Sequence, residues 1–309
     1  MLLATGVGAQ GYPERPVRVL VGYPPGGGTD LVARLIAVPL SERWRQPVVV
    51  ENRPGANAIL ATEAVAKAKP DGYTLLMAYA TELALNPATH RKLPYDPVRD
   101  LAPIAQLASA PLVMAVHPSL AAQDLPGLVA LAKAKPGALS YSSSGTGSVH
   151  QFAGELFKLR SGIDIVHIPY KGSGPATADA VSGQVQVTFA SVASVLRFVQ
   201  SGRLRALAVT SPQRSPQLPN VPTAAEAGVP GVELTSWYGV LAPAGTPAEV
   251  IRKVAADVAA ALAAPEVRKG FEAQGLDIAQ SSPAAFAEFI RAEADKYQRI
   301  ARAAAITLD

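Results

Sequence analysis

Apolar residues along this chain follow two alternating rhythms. Short β-branched runs are interleaved with longer stretches whose apolar residues recur every three or four positions. The first rhythm belongs to strands and the second to amphipathic helices, so the alternation predicts βαβ units around mainly parallel sheets, an α/β fold. Strands are expected at 17–21, 48–51, 74–78, 113–116, 139–142, 163–168, 185–189 and 204–209. Helices are expected over 58–68, 125–134, 148–160, 174–182 and 191–201, with a further one opening at Thr29. In that helix Thr29 reads as the cap, Asp30 occupies the first turn, and Leu31, Leu35 and Val38 share a face until Pro39 kinks or ends it.

Beyond residue 209 the rhythm stops. Five prolines between Ser211 and Pro230 mark a return crossing between two halves of the chain. From 247 onward the pattern is helical and alanine-rich, with breaks at Pro265, Gly275 and Pro283. Those helices have no strands of their own and are expected to pack back on the first half. The organisation read from this is a lobe formed by 12–112 and 236–309, a second lobe formed by 113–235, and a ligand cleft between them. A length of 309 residues suits two such lobes.

Composition narrows the function classes. The chain has no cysteine, which removes disulfides, thiol nucleophiles and thiolate metal sites. Its net charge is +4, but the basic residues are scattered, so no phosphate-tracking face forms and a nucleic-acid partner is not expected. No H-E-x-x-H pattern joins the four histidines, and neither metal nor cofactor is expected. Residues 1–11 form a short apolar stretch closing in Ala9-Gln10-Gly11, which reads as the remnant of a secretory signal or else a disordered tail.

Two glycine-rich turns carry the chemistry. Gly22-Tyr23-Pro24-Pro25-Gly26-Gly27-Gly28-Thr29-Asp30 joins a strand to a helix origin, where free amides and the helix dipole can hold an anion without Lys or Arg. It matches neither the P-loop nor the dinucleotide fingerprint. Ser144-Gly145-Thr146-Gly147-Ser148 repeats the arrangement in the second half, and both turns lie at carboxyl ends of strands, where α/β sheets bind ligands. Tyr170-Lys171 follows a strand and offers a hydroxyl, an ammonium or backbone donors. Trp237 and Tyr238 either wall the pocket or fill the core. Ser148, His150 and Asp30 are the residue types of a hydrolytic triad, but positions two apart on a helix diverge and no G-x-S-x-G elbow is present. A hydrolase or transferase in the same cleft, and a ligand-sensing subunit of a signalling system, stand as alternatives to a binding receptor.

Several segments occur together in order: Tyr12-Pro13-x-x-Pro16, the Pro-Pro-Gly-Gly-Gly-Thr-Asp loop, Val48 to Ala56, Pro70-Asp-Gly-Tyr-Thr-Leu-Leu76, Leu93-Pro-Tyr-Asp-Pro97, Ser144 to Ser148 with His150, His167-x-Pro-Tyr-Lys-Gly172, Leu204-Arg-Ala-Leu-Ala208, Val221-Pro-Thr with Glu226-Ala-Gly228, and Ala242-Pro-Ala-Gly-Thr-Pro247. Together they resemble the Bug proteins, the substrate-binding receptors of tripartite tricarboxylate transporters, from Tyr12 almost to the C-terminus. The resemblance implies a type II periplasmic binding fold, a monomer exported to the periplasm, a small organic acid as ligand, and delivery to membrane permease subunits. The ligand-binding set it suggests on this chain is Tyr23, Pro25, Gly26, Gly27, Gly28, Thr29, Asp30, Asn57, Tyr79, Thr81, Glu82, Ser144, Gly145, Thr146, Gly147, Ser148, His150, Tyr170, Lys171, Ser191 and Trp237. Departures from the family pattern fall at Arg45, Asn57 and Ala58, where glycine is usual. Glu82 would repel a second carboxylate if it pointed inward, so it either faces solvent or meets an amine or other donor of the ligand.

Overall fold

The computed structural model describes residues 11–308. The signal remnant read at the N-terminus lies, apart from Gly11, outside the described residues. The strands in chain order are β1 (Val17–Val21), β2 (Val48–Asn52), β3 (Thr74–Tyr79), β4 (Leu101–Val116), β5 (Ser140–Ser143), β6 (Val166–Pro169), β7 (Val187–Ser191), β8 (Arg205–Val209), β9 (Thr235–Pro243) and β10 (Asp277–Ile278). The helices are α1 (Gly28–Trp44), α2 (Ile59–Ala66), α3 (Asn86–Thr89), α4 (Leu125–Ala134), α5 (Val149–Ser161), α6 (Ser173–Ser182), α7 (Val192–Gln200), α8 (Ala248–Ala263), α9 (Pro265–Ala273) and α10 (Pro283–Ala303). A 3₁₀ turn (Ala56–Ala58) precedes α2, and a π turn (Thr81–Leu85) precedes α3.

The strands follow the order β2-β1-β3-β9-β4-β7-β5-β6, with β8 and β10 also paired to β4. The expected parallel units are present: β1 pairs in parallel with β2 and β3, and β5 with β6 and β7. Between these sets the pairing is antiparallel, with β9 lying between β3 and β4, and β7 and β8 against the end of β4. The whole is therefore an α/β fold on a mixed sheet.

One strand serves both lobes. Over Leu101–Pro111, β4 pairs with β9, and over Leu112–Val116 it pairs with β7. Its apolar sequence is buried along nearly its whole length, as a central strand requires. Pro111 sits where the partner changes, a position at which the missing N–H costs least.

Period-two alternation sorts the core. Val17, Val19 and Val21 of β1 join Leu75 and Met77 of β3 on one face, packed against Val32, Ile36 and Trp44 of α1 and Val254 and Val258 of α8. Leu20 and Leu76 point the other way, into a core that continues through Leu112 and Met114 of β4 to Phe152 and Phe157 of α5 and Tyr297 of α10. That second core crosses from one lobe to the other, because α10 packs on the π turn and α3 as well as on α5.

Three local expectations need correction. The buried stripe of α1 is Val32, Ala33, Ile36, Leu40 and Trp44, whereas Val38 is 62% exposed. Pro39 does not end the helix: burial of Leu40, the next residue, and of Trp44, one turn beyond that, holds α1 helical to Trp44. The cap is Gly27, so Thr29 lies inside the first turn, buried. Strand β9 has no counterpart in the sequence pattern because it is apolar on both faces and interrupted by Gly239. A Cβ at Gly239 would approach the Phe286 ring to 2.2 Å and the Ala105 carbonyl oxygen to 3.0 Å, so only glycine lets α10 close over the strand.

The departures from family glycines share one geometry. Arg45 closes α1 at φ 52°, and Asn57 and Ala58 sit at φ 50° and 67° in the 3₁₀ turn, following Ala56 at 47°. Left-handed backbone costs an L-residue about 1–2 kcal/mol. In the turn it is held by hydrogen bonds from Asn86 Nδ2 to the Asn57 carbonyl and from Thr62 Oγ1 to the Ala58 carbonyl. Arg45→Gly and Ala58→Gly are each expected to stabilise the fold by about 0.5–1 kcal/mol, because relief of strain outweighs the added chain entropy of glycine. Urea titrations of the two variants check this.

Candidate functional site

A cleft of about 330 Å³ lies between the two lobes. From the first lobe it is lined by Tyr23, Asn57, Tyr79 and Thr81, and from the second by Ser144 to His150 with Gly172 and Ser173. The size sits at the small end of ligand pockets, which span roughly 300–1,000 Å³. No Lys, Arg, Asp or Glu lines it among the described residues. The wall is made of hydroxyls, amides, phenols and one imidazole.

The second-lobe wall is built by two helix origins. Ser148 caps α5, its Oγ accepting from the Gln151 amide, while Gln151 Oε1 accepts from the Gly147 amide 2.7 Å away, a reciprocal capping arrangement. Ser148 Oγ donates in turn to the Gly145 carbonyl. The amides of Val149 and His150, in the first turn, find no acceptor among the described residues. Gly172 caps α6 at φ 108°, placing Ser173 beside the Ser144 loop, which Gly172 bonds through the Ser144 carbonyl. Both origins direct the positive ends of their dipoles at one wall of the cleft.

His150 is the single aromatic base on that wall. Its Nδ1 shares a 2.6 Å hydrogen bond with Ser144 Oγ, and its Nε2 is buried without a partner among the described residues. Burial lowers its pKa to about 4, so the ring is neutral through the physiological range. The pairing is with Ser144, not Ser148, and Asp30 lies in the other lobe bonded to Arg34, so the triad weighed from sequence does not assemble.

The first-lobe wall is aromatic. Tyr23 and Tyr79 meet edge to face at 6.2 Å, and Tyr79 leans on Tyr238 at 5.0 Å. Tyr79 Oη shares a 2.6 Å bond with Ser236 Oγ. Glu82 neither faces solvent nor lines the cleft, against both sequence expectations: it is fully buried behind these rings. Burial raises its pKa to about 8.

The glycine run of the first loop stands outside the lining, which takes only Tyr23 from that loop. Pro25 and Gly26 are exposed, and Gly28 lies beside the Tyr238 hydroxyl, 2.8 Å from where its Cβ would be. The amides of Gly28, Thr29 and Asp30 find no acceptor among the described residues. Asp30, 1% exposed, organises the loop by accepting from the Gly26 amide at 2.9 Å, Arg34 Nε at 2.9 Å and Asn52 Nδ2 at 2.8 Å. Burial pushes the Asp30 carboxyl up, but these donors outweigh it and hold the group below its ordinary value. Asp30→Ala is expected to cost about 1–3 kcal/mol at pH 7 by stranding those donors. Because the folded pKa is the lower one, the wild-type advantage is full above the unfolded value and fades as pH falls through the folded one. Urea titrations at pH 7 and pH 3 read both effects.

The remaining candidates serve the scaffold in this structure. Tyr170 donates to Asp179 Oδ2 at 2.7 Å, and Lys171 is exposed. Ser191, at the α7 origin, donates to Ser194 Oγ. Trp237 is fully buried and donates from Nε1 to Glu293 Oε2, so it belongs to the core. Sequence reasoning missed Val149, Gly172 and Ser173 as lining residues. Ser173 follows Gly172 at a strand-to-helix step like the two glycine turns, a signal that was readable.

Comparison with known proteins follows the same direction. A family model described as "Tripartite tricarboxylate transporter family receptor" matches residues 32–306. Protein BugT of Bordetella pertussis is 38% identical over 301 residues, covering 97% of this chain and 92% of that protein. A solved structure described as a periplasmic transporter is 42% identical with a TM-score of 0.83, covering 96% of this chain and 100% of that one. An R. palustris protein solved with adipate is 36% identical with a TM-score of 0.84, covering 96% and 99%. Among the described residues no helix is long and apolar enough to cross a membrane.

Proposed function

Since the chain belongs to the family of tripartite tricarboxylate transporter receptors, whose members bind solutes and are not enzymes, we propose that it captures a small organic carboxylate between its lobes in the periplasm and delivers it to the permease subunits of such a transporter. The observation that carries the ligand class is the neutral lining of the cleft. An anion there meets the origins of α5 and α6, with the Val149 and His150 amides of α5 lacking an acceptor among the described residues, and needs no cationic side chain to be held. The adipate found in the R. palustris relative is chemistry of this kind.

In this reading one carboxylate lies against Thr146, Ser148, His150 and Ser173, and the rest of the ligand against Tyr23, Asn57, Tyr79 and Thr81. The lobes are 12–112 with 236–309, and 113–235, and a ligand touching both favours the closed state by its differential affinity. The mature protein acts as a monomer. A panel of linear C3–C8 dicarboxylates, hydroxy acids and aromatic acids is expected to contain at least one compound that raises the melting temperature and gives a calorimetric Kd in the micromolar range or below. A flat response across the panel, with native mass spectrometry of freshly purified protein showing no bound acid, would refute the carboxylate reading.

A further inference from the structure

Behind the aromatic wall of the cleft lies a carboxyl that touches no ligand site directly. Glu82, in the π turn, is 0% exposed. Its Oε2 accepts from the Tyr23 phenol at 3.0 Å, its Oε1 from the Tyr79 amide at 3.4 Å, and its carbonyl from the Tyr95 phenol at 2.8 Å. Tyr23 and Tyr79, which hold the carboxyl, are also the side chains that face the cleft.

Among the described residues, no charged group donates to the Glu82 carboxyl. The loop before α1 contributes Tyr23, β3 Tyr79, β9 Tyr238 and the loop after α3 Tyr95, all phenols held protonated by burial. From α10 come Tyr297 and Glu293, the latter ion-paired with Lys296. The 3₁₀ turn and α3 contribute the amides of Asn57 and Asn86, and His90 and Arg91 beyond α3 have interactions of their own. The Tyr23 phenol and the backbone amides of Tyr79 and Glu82 that serve the carboxyl are all uncharged. An isolated carboxylate in such a place is costly, and keeping the proton avoids the cost.

We propose that Glu82 is a positioning residue that makes anion capture proton-linked: an acid anion enters the cleft while the Glu82 carboxyl is protonated, and the occupied protein holds that proton more tightly than the free one. The inference rests on the carboxylate reading above. Ionised Glu82 would place a negative charge one side chain behind the Tyr23 and Tyr79 wall, where the far carboxylate of a bound dicarboxylate comes to rest, across a poorly screened, aromatic layer. Affinity for an anion should therefore be level through neutral pH and fall as Glu82 ionises. A ligand bearing an ammonium at that wall would show the opposite slope.

The test uses the full chain and its Glu82→Gln variant, which keeps the shape and neutrality of the protonated group. In unliganded protein labelled at the glutamate side-chain carboxyl with ¹³C, one resonance absent from E82Q should titrate near pH 8. A midpoint below pH 6 would overturn the proposal. The second arm takes the strongest binder among linear dicarboxylates from malonate to suberate. Its affinity for wild type should weaken about tenfold from pH 7 to pH 9, with net proton uptake seen by calorimetry in buffers of different protonation heat. E82Q should show neither. Binding with equal pH slopes in both proteins overturns the proton linkage and leaves the carboxylate reading standing, whereas no binding by any member overturns both.

Discussion

Trp237→Ala is expected to remove about 3–5 kcal/mol of stability, the cost of emptying a large aromatic site in a close-packed core. Trp237 is fully buried on β9, with its ring edge-on to Phe289 at 5.2 Å and to Phe286 at 5.9 Å. Its indole N–H satisfies Glu293 Oε2, a carboxylate 6% exposed whose other oxygen pairs with Lys296. The substitution therefore opens a cavity and leaves a buried acceptor short of a donor at the same time. Trp237→Phe keeps much of the packing but not the hydrogen bond, and should fall between the two. Urea midpoints for the three proteins separate the contributions; equal stability of wild type and W237A would contradict this account of the core.

His150→Phe is expected to weaken binding of a carboxylate ligand by about 10- to 100-fold, the loss of one hydrogen bond to a charged group at about 1.5–3 kcal/mol. The buried Nε2, without a partner among the described residues, is the atom that would make it. The variant should also change the acid limb of stability. Folded His150 titrates at about 4 while the unfolded side chain titrates near 6.5, so between those values the unfolded chain binds the extra proton. Stability is therefore full above pH 6.5 and drains by about 1.4 kcal/mol per pH unit as pH falls toward 4. H150F lacks that term and should lose less on going from pH 7 to pH 5. Unchanged affinity in H150F would remove the imidazole from the site, and an unchanged acid limb would mean that His150 is solvated in the folded protein.

How much of this could be read beforehand depends on whether the deciding interaction is local. Strand β1, helix α4 and the Ser148 cap of α5 stand where the pattern put them, because turn residues and periodicity fix them within a few positions. The inner face of α1 could not be read, since Leu31, Leu35 and Val38 are as apolar as Val32, Ile36 and Leu40 and only the placement of α8 and α9 chooses between them. The same holds for β9, whose identity as a strand comes from partners β3 and β4 far away in sequence. At the site, the second glycine turn was legible as a wall of the cleft. Glu82 was not, because burial of a carboxyl follows from rings supplied by the loop after β1, by β3 and by β9 that no local pattern reveals. The glycine departures were informative in a way only the backbone explains: each falls where φ is positive.

The strand shared by both lobes has a consequence for how the polypeptide must mature. During synthesis β3 and β4 emerge long before β9, the ribbon that fits between them. Until residues 235–243 arrive, both neighbours carry bare edges, and such edges invite pairing with other chains. Fragments cut short of residue 235 should aggregate rather than yield a free-standing lobe, and a chaperone that delays collapse until the last quarter is available would have its most useful client in this interval.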